Sequence, residues 1–432
     1  VNMGYNGSEN FAKGHRWGFF PSIALGYNIS EESFFEPLRK VITSMKLRGS
    51  WGLVGNDQIG GERFIYMPTI NLSGKGFTTG IDQNYGLSGP VYTRYENNSI
   101  TWEVGEKINL GIDLQLLNSL NIVVDIFRET RRDIFQKKGT IPTYLGTGNT
   151  DVFGNLAEMK NQGLDLSIDY NKAFSKDFYM NFKGTFTYAH NEITKYDEAP
   201  KYAFQSKAGQ SANVSQGYLS NGLFLDEAEI DRYNQQMGST LGAGDIKYLN
   251  VSNMHGYGDD IVDVDDWTWI GNPTVPEIVY GFGPSFKYKN WDFSFFFQGV
   301  AKTSLFMSGF HPFGDNSLRN VLQFVANDRW SPTNQNVDAK YPRLTRKTSL
   351  NNTNPGNSGR TSDYWMRDGS FLKLKNMELG YTFKRMRFYI SGSNLLTFSK
   401  FDLWDPEQGG GSGLKYPTQR VFNVGFQMTF NN

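Results

Sequence analysis

The chain contains no cysteine. A disulfide framework, a zinc–thiolate site and a cysteine nucleophile are therefore excluded. Neither sign of charge dominates: 43 Lys and Arg stand against 43 Asp and Glu, so there is no basic excess to attract nucleic acid. No stretch approaches the roughly eighteen apolar residues that a membrane-crossing helix needs. Barrel strands remain open, because each needs only about 9–11 alternating residues and hides in average hydropathy. Catalytic signatures are missing too: there is no P-loop, nucleophile elbow or zincin helix. The histidines, His15, His190, His255 and His311, are scattered, and loop hydrogen bonding accounts for them better than a metal or triad role. No signal peptide opens the chain, and Val1 is not a start methionine. VNMGY reads as the tail of a strand, so the chain is expected to continue a longer protein.

What is present is aromatic and glycine-rich, with 15% aromatics and 47 glycines. Both fit aromatic girdles and glycines at strand bends. The strand patterns have a period of two. Ile108, Leu110, Ile112, Leu114 and Leu116 alternate with Asn109, Gly111, Asp113 and Gln115. Phe422, Val424, Phe426, Met428 and Phe430 alternate with Asn423, Gly425, Gln427 and Thr429. About twelve strands follow: 1–6, 15–29, 45–54, 104–117, 119–130, 163–172, 177–190, 278–288, 291–301, 370–383, 386–395 and 419–430.

Tight turns at 117–119, 175–176, 289–290 and 384–385 take turns with long polar stretches at 55–103, 131–162, 191–277, 302–369 and 396–418. A soluble sandwich also alternates, with its apolar face inward. In a membrane barrel that face looks out to lipid. Short turns on one side and long loops on the other favour a transmembrane antiparallel β-barrel, since a compact soluble sheet rarely tolerates so many long loops. Parity then puts the segment 30–44 on the short-turn side, where Ser30 before Glu31 and Glu32 suggests a short capped helix.

Two clusters could touch a ligand. In HGYGDDIVDVDDW, Asp259, Asp260, Asp263, Asp265 and Asp266 lie at near-alternate spacing beside glycines, which resembles a calcium loop. Asp259, Asp263 and Asp265 are the candidate ligands, although the EF-hand pattern is out of register and a solvated acidic turn explains the run equally. Trp267, Trp269, Trp330 and Trp365, with Trp404, fall near or beyond strand ends. Flat aromatic faces suit sugars or peptide side chains. An interfacial belt with loop packing is the plainer reading of any one of them. The run Gly409, Gly410, Gly411, Ser412, Gly413 suits a pliable outer loop.

Seven segments in order resemble one family, the SusC/RagA-like TonB-dependent transporters of Bacteroidetes outer membranes. They are GHRWGFFPSIALGYNISEESFF, the strand Leu47 to Asp57, TWEVGEKINLGIDLQLLN, NLAEMKNQGLDLSIDY, GNPTVPEIVYGF, FLKLKNMELGYTF and SGSNLLTFSKFDLWDPE. The resemblance covers essentially the whole chain, as the C-terminal half of such a protein. There are departures. Where the family carries an Asp-x-Asn-x-Asp-Gly-like run, this chain reads LNVSNMHGYGDDIVDVDD, with Asn250 and Asn253 in place of acids and extra residues inserted. The last aromatic, Phe430, is followed by two asparagines.

The resemblance implies a plugged barrel of about 22 strands, residues 1–432 supplying the C-terminal twelve and the plug and TonB box lying upstream. It implies an importer of oligosaccharides or peptides, capped by a SusD-like surface lipoprotein, energised by TonB and embedded in outer-membrane lipid. No covalent chemistry, hence no enzyme activity and no obligatory cofactor, is expected; calcium is the one candidate ion. Two alternatives stand beside import: a barrel serving as a structural subunit of an envelope complex, and a soluble carbohydrate-active β-protein, which would need a paired-carboxylate cleft.

Overall fold

The computed structural model describes residues 1–142, 144, 150–233, 235–236, 241–313, 318–346, 352 and 361–430. Twelve strands hydrogen-bond into one sheet in strict chain order. They are β1 (Asn2–Gly7), β2 (Trp17–Asn28), β3 (Ile42–Asn56), β4 (Glu103–Leu116), β5 (Leu120–Lys137), β6 (Phe153–Ala173), β7 (Phe178–Lys195), β8 (Ile278–Tyr288), β9 (Trp291–Ala301), β10 (Phe371–Phe383), β11 (Met386–Ser399) and β12 (Val421–Met428). Each of the twelve overlaps a strand that the alternation predicts. Three of the four tight turns hold left-handed residues, with Leu117 and Asn118 at φ 49° and 53°, Lys289 at 51° and Lys384 at 54°. Positive φ lets a two-residue loop match the right-handed twist of its strands.

The chain divides into two compact units. Residues 1–167, 189–200 and 206–212 form the first, and 168–188, 201–205 and 213–432 the second. In the first unit, Arg48 faces Gly111 and Ser50 faces Asn109 across β3 and β4, while Leu47 faces Ile112 and Trp51 faces Ile108. One face is thus polar and the other apolar. The apolar face is open, with Leu110 62% exposed. In the second unit, Phe293 faces Leu379 and Ser294 faces Glu378, so the same division holds.

Three expectations need correction. The stretch 131–162 is mostly strand: β5 runs on to Lys137 and β6 begins at Phe153. Its sequence lacks apolar alternation because these strand ends meet outer segments rather than lipid: Phe135 and Phe153 pack against the first unit's core and Gln136 is buried. The segment 30–44 holds no capped α-helix. It forms two 3₁₀ turns, Ile29–Glu31 and Ser33–Leu38, with no side-chain cap. Ser30 is buried instead, and its carbonyl accepts from Arg39 Nε at 2.7 Å. Finally, the long outer stretches are not plain loops. Thr69–Thr79 and Tyr85–Arg94 form a hairpin within 55–103. In the second unit Ser215–Gly217 pairs with Thr268–Ile270, Ser220–Leu223 with Ile246–Tyr248, and Ser304–Phe306 with Met366–Asp368.

These outer segments carry the hydrophobic cores. In the second unit Tyr218, Leu223, Ile246, Tyr248, Met307, Phe313 and Trp365 join one buried cluster. In the first unit Phe11, Ile59, Ile65, Ile100 and Trp102 form a smaller one.

Candidate functional site

The polar face is built around two arginine clasps of the same design. In the first unit Arg48 on β3 reaches across β4 to Asp125 on β5, with bonds of 2.7 and 2.6 Å, and also holds Asp113 at 3.0 Å. Gly111 is the β4 residue it crosses; a β-carbon there would lie 2.7 Å from both Arg48 Cζ and Asp125 Oδ1. In the second unit Arg387 on β11 reaches across β10 to Asp292 on β9 at 3.0 Å and takes Glu378 at 2.6 Å. Gly380 is crossed, and a β-carbon there would lie 2.6 Å from Arg387 Nη2 and Asp292 Oδ1. Between the clasp and the outer segments of the second unit, Asn181, Lys183, Ser285, Ser294, Asn376 and Ser391 line a polar hollow of about 380 Å³.

Farther along the same strands lies a larger cavity of about 640 Å³. Gln298 and Phe371 form its strand side; Phe306, Glu407, Gly410 and Gly411 form its loop side. One buried cation pins that loop. Lys373 on β10, 1% exposed, bonds Asp405 and, at 2.9 Å, Glu407. Burial pushes both carboxyls up, but hydrogen bonds outweigh it, from Lys373, the Glu407 N–H and Thr418 at Asp405 and from Lys375 and Lys373 at Glu407, and both sit below the ordinary carboxylate range. Lys373 was not singled out in the sequence. Its only signal is a lysine on the polar register of FLKLK, and nothing there points to partners some thirty residues away.

A second tether lies within the outer core. Asp245 is fully buried and held by Arg343 through both oxygens, by Asn352 Nδ2 at 2.6 Å and by Gly242 N–H at 2.9 Å. The Arg343 guanidinium is raised by its Asp245 bonds, against burial.

The structure brings the three carboxylates predicted from sequence together. Ligand oxygens of Asp259, Asp263 and Asp265 all lie within 4.8 Å of one another. Asp263 Oδ1 accepts from Asp265 N–H at 2.8 Å, and Asp259 Oδ1 accepts from Ile261 N–H at 3.1 Å. Lys201 pairs with Asp265 and offsets one of the three charges; that bond raises the lysine above its ordinary value. A set of carboxylate oxygens suits a hard cation. Asn250 donates to Asp259 and caps the turn Val251–Met254 by accepting from Asn253 N–H at 2.7 Å. Asp266 is a structural acid: fully buried, it accepts from Ser252 and Asp263 N–H, and burial pushes its carboxyl up against those bonds.

The tryptophans are not gathered into one exposed platform. Trp365 is completely buried and Trp330 5% exposed, both inside the second unit's core, so protein covers their faces. Trp267 packs partly buried against that core, and Trp269 lies in the strand paired with Ser215–Gly217. Among the described residues the indole N–H groups of Trp267, Trp330 and Trp365 have no hydrogen-bond partner. Sequence alone marks them as strand-end aromatics because an outer segment with a core of its own has no periodic signature.

No helix among the described residues is long and apolar enough to cross a membrane. An antiparallel sheet in strict chain order, polar on one face and openly apolar on the other, is the wall of a transmembrane β-barrel. The family model described as TonB dependent receptor-like, beta-barrel matches residues 2–395, and the chain belongs to that family. It is 27% identical over 455 residues to the TonB-dependent receptor SusC of Bacteroides thetaiotaomicron, covering 99% of this chain and 42% of that protein. It is 26% identical over 462 residues to TonB-dependent receptor P3 of Formosa agariphila, covering 98% and 43%. The solved RagAB peptide transporter matches with a TM-score of 0.69 at 21% identity, over 98% of this chain and 45% of that one. The chain therefore spans less than half the length of these relatives. The SusC/RagA-like character read from the motifs is borne out.

Proposed function

We propose that the chain supplies the C-terminal strands and outer segments of an outer-membrane importer of oligosaccharides or peptides. The importer works with a SusD-like surface lipoprotein and is energised through TonB. The carrying observation is a 640 Å³ cavity within the second unit, walled by the strand residues Gln298, Val300 and Phe371 on one side and by loop residues on the other. Such a cavity lets cargo dwell between the outer segments and the lumen face before a path opens. The apolar face would meet lipid. Transport of this kind forms and breaks no covalent bond, so the reading needs neither enzyme activity nor a cofactor. Its support is membership of the receptor family and the SusC and RagAB likenesses.

A tagged full-length protein isolated from native outer membrane should bring down a lipoprotein in stoichiometric amount. Cells should take up the cargo only with TonB intact. Unrelated envelope proteins without that lid, and no TonB-dependent uptake, would move the protein to a scaffold role. Calcium at Asp259, Asp263 and Asp265 belongs to the same reading as a brace for the outer segment, with no transport step routed through it. Millimolar calcium should raise the melting temperature of the wild type and leave Asp263→Asn unmoved; equal shifts would dismiss the ion.

A further inference from the structure

Arg367 lies on Met366–Asp368, the short strand paired with Ser304–Phe306. Its Nη1 donates to the carbonyls of Tyr364 and Met366, both at 2.8 Å. Among the described residues no carboxylate lies within ion-pair distance, 4.0 Å, of its guanidinium. This sets it apart from Arg343, Arg387 and Arg48, each of which grips at least one carboxylate. Burial lowers the Arg367 guanidinium from its ordinary value, against the influence of Tyr341 and Tyr364. A guanidinium keeps its proton in proteins, so the lost hydration is not relieved by neutralisation.

Arg367 lines a cavity of about 310 Å³. Lys340 and Lys400 share its wall with Arg367, as do Asp328 and Asp402, so three cations stand with two carboxylates and one positive charge is left over. Asp328 is engaged by Lys340 at 3.6 Å. Phe324, Tyr341 and Phe401 give the cavity apolar sides, the first two rings 5.8 Å apart.

We propose that this cavity binds a carboxylate carried on a compact body with an apolar face, and that Arg367 receives the carboxylate through the guanidinium edge not committed to Tyr364 and Met366. The planar fork matches a carboxylate, and the desolvated setting strengthens a charge-assisted bond. The single surplus charge fits a monoanion, while the two carboxylates on the wall oppose a phosphate dianion. The aromatic sides suit the apolar face of a sugar ring or a terminal peptide side chain. A uronic acid residue and the C-terminal residue of a peptide both carry this chemistry. The binding chemistry stands on these side chains; its use in choosing cargo rests on the import reading.

Calorimetry on the full-length protein, purified in detergent with its co-purifying partner, decides the matter with four probes. These are a glucuronate trisaccharide, the same trisaccharide with its carboxyls reduced, an N-acetylated tripeptide with a free C-terminus, and its C-terminal amide. At least one acid should bind about tenfold more tightly than its neutral counterpart, and Arg367→Gln should erase that preference. The acid that shows the preference identifies the source. Lys400→Gln, on the exposed rim, should weaken the preference roughly threefold and serves where Arg367→Gln does not fold. No preference for either acid in the wild type overturns the site. So does a preference that survives Arg367→Gln or is unchanged in Lys400→Gln. TonB-dependent uptake is scored separately: selective binding without it overturns the import reading alone, and TonB-dependent uptake without selective binding overturns the site alone.

Discussion

In the second unit, side chains of the same kind meet opposite fates in two regions. On the strands, Val424 is 87% exposed and Ile390 56% exposed, facing each other across β11 and β12. In the outer segments, Trp365, Met307 and Phe313 are wholly buried. The wall behaves like a surface made for lipid, where apolar groups need no protein partner. The outer segments behave like a small water-soluble domain, whose apolar groups must find one another. Loops so built can hold a cavity in a defined shape, which plain loops of that length would not.

The comparison is broken hardest at Trp365. Trp365→Ala should cost about 3–5 kcal/mol of outer-segment stability. Limited proteolysis should then cut within 213–277 or 302–369 while the barrel strands stay folded and membrane-bound; loss of the barrel itself would show that the two regions are not separately stabilised. Next comes Ile390→Arg on the apolar face. Near the bilayer midplane it should destabilise the barrel by about 2–4 kcal/mol. Unfolding titrations in lipid vesicles test this, and no effect would mean that this face does not meet lipid.

A pin between the two regions comes third. Lys373 is buried with Asp405 and Glu407. Lys373→Met should free the segment 400–411 at a cost of about 2–3 kcal/mol, read by hydrogen exchange across that segment. Because both carboxyls sit below their ordinary values of 3.8 and 4.5, their contribution is present above those values. It is lost as pH falls through the lower values of the folded protein. Hydrogen exchange in 400–411 should rise on acidification from about pH 5 to pH 3 in the wild type and change far less in Lys373→Met. The smallest effect is expected at the clasps. Arg387→Ala and Arg48→Ala should each cost about 1 kcal/mol, since both pairs are partly open to water. Similar values would sharpen the view that one device is built twice; a large difference would show that only one clasp bears on stability.

Much of the wall was legible before any coordinates. Ile108 to Leu116 and Phe422 to Phe430 carry a period of two, and that period survives because one face meets lipid and the other does not. Where it fades, so did the reading: Arg131 to Lys137 is strand, but its alternation is lost among charged residues. The acidic triad was found as a group because its members lie within seven residues of one another. The tryptophans were placed at strand ends but not seen as core, since no local pattern tells a buried Trp365 from an exposed one.

By itself, then, the sequence determined the number of the wall strands, their tight turns and which residues of each strand share a face, because those depend on neighbours a few residues apart. Only the tertiary structure decided which outer residues are core, that Gly111 and Gly380 clear the way for Arg48 and Arg387, that Lys373 meets Asp405, and that Arg367 has no carboxylate of its own. Those facts join residues from seven to more than a hundred positions apart, and a contact of that kind costs loop-closure entropy that only a packed structure repays.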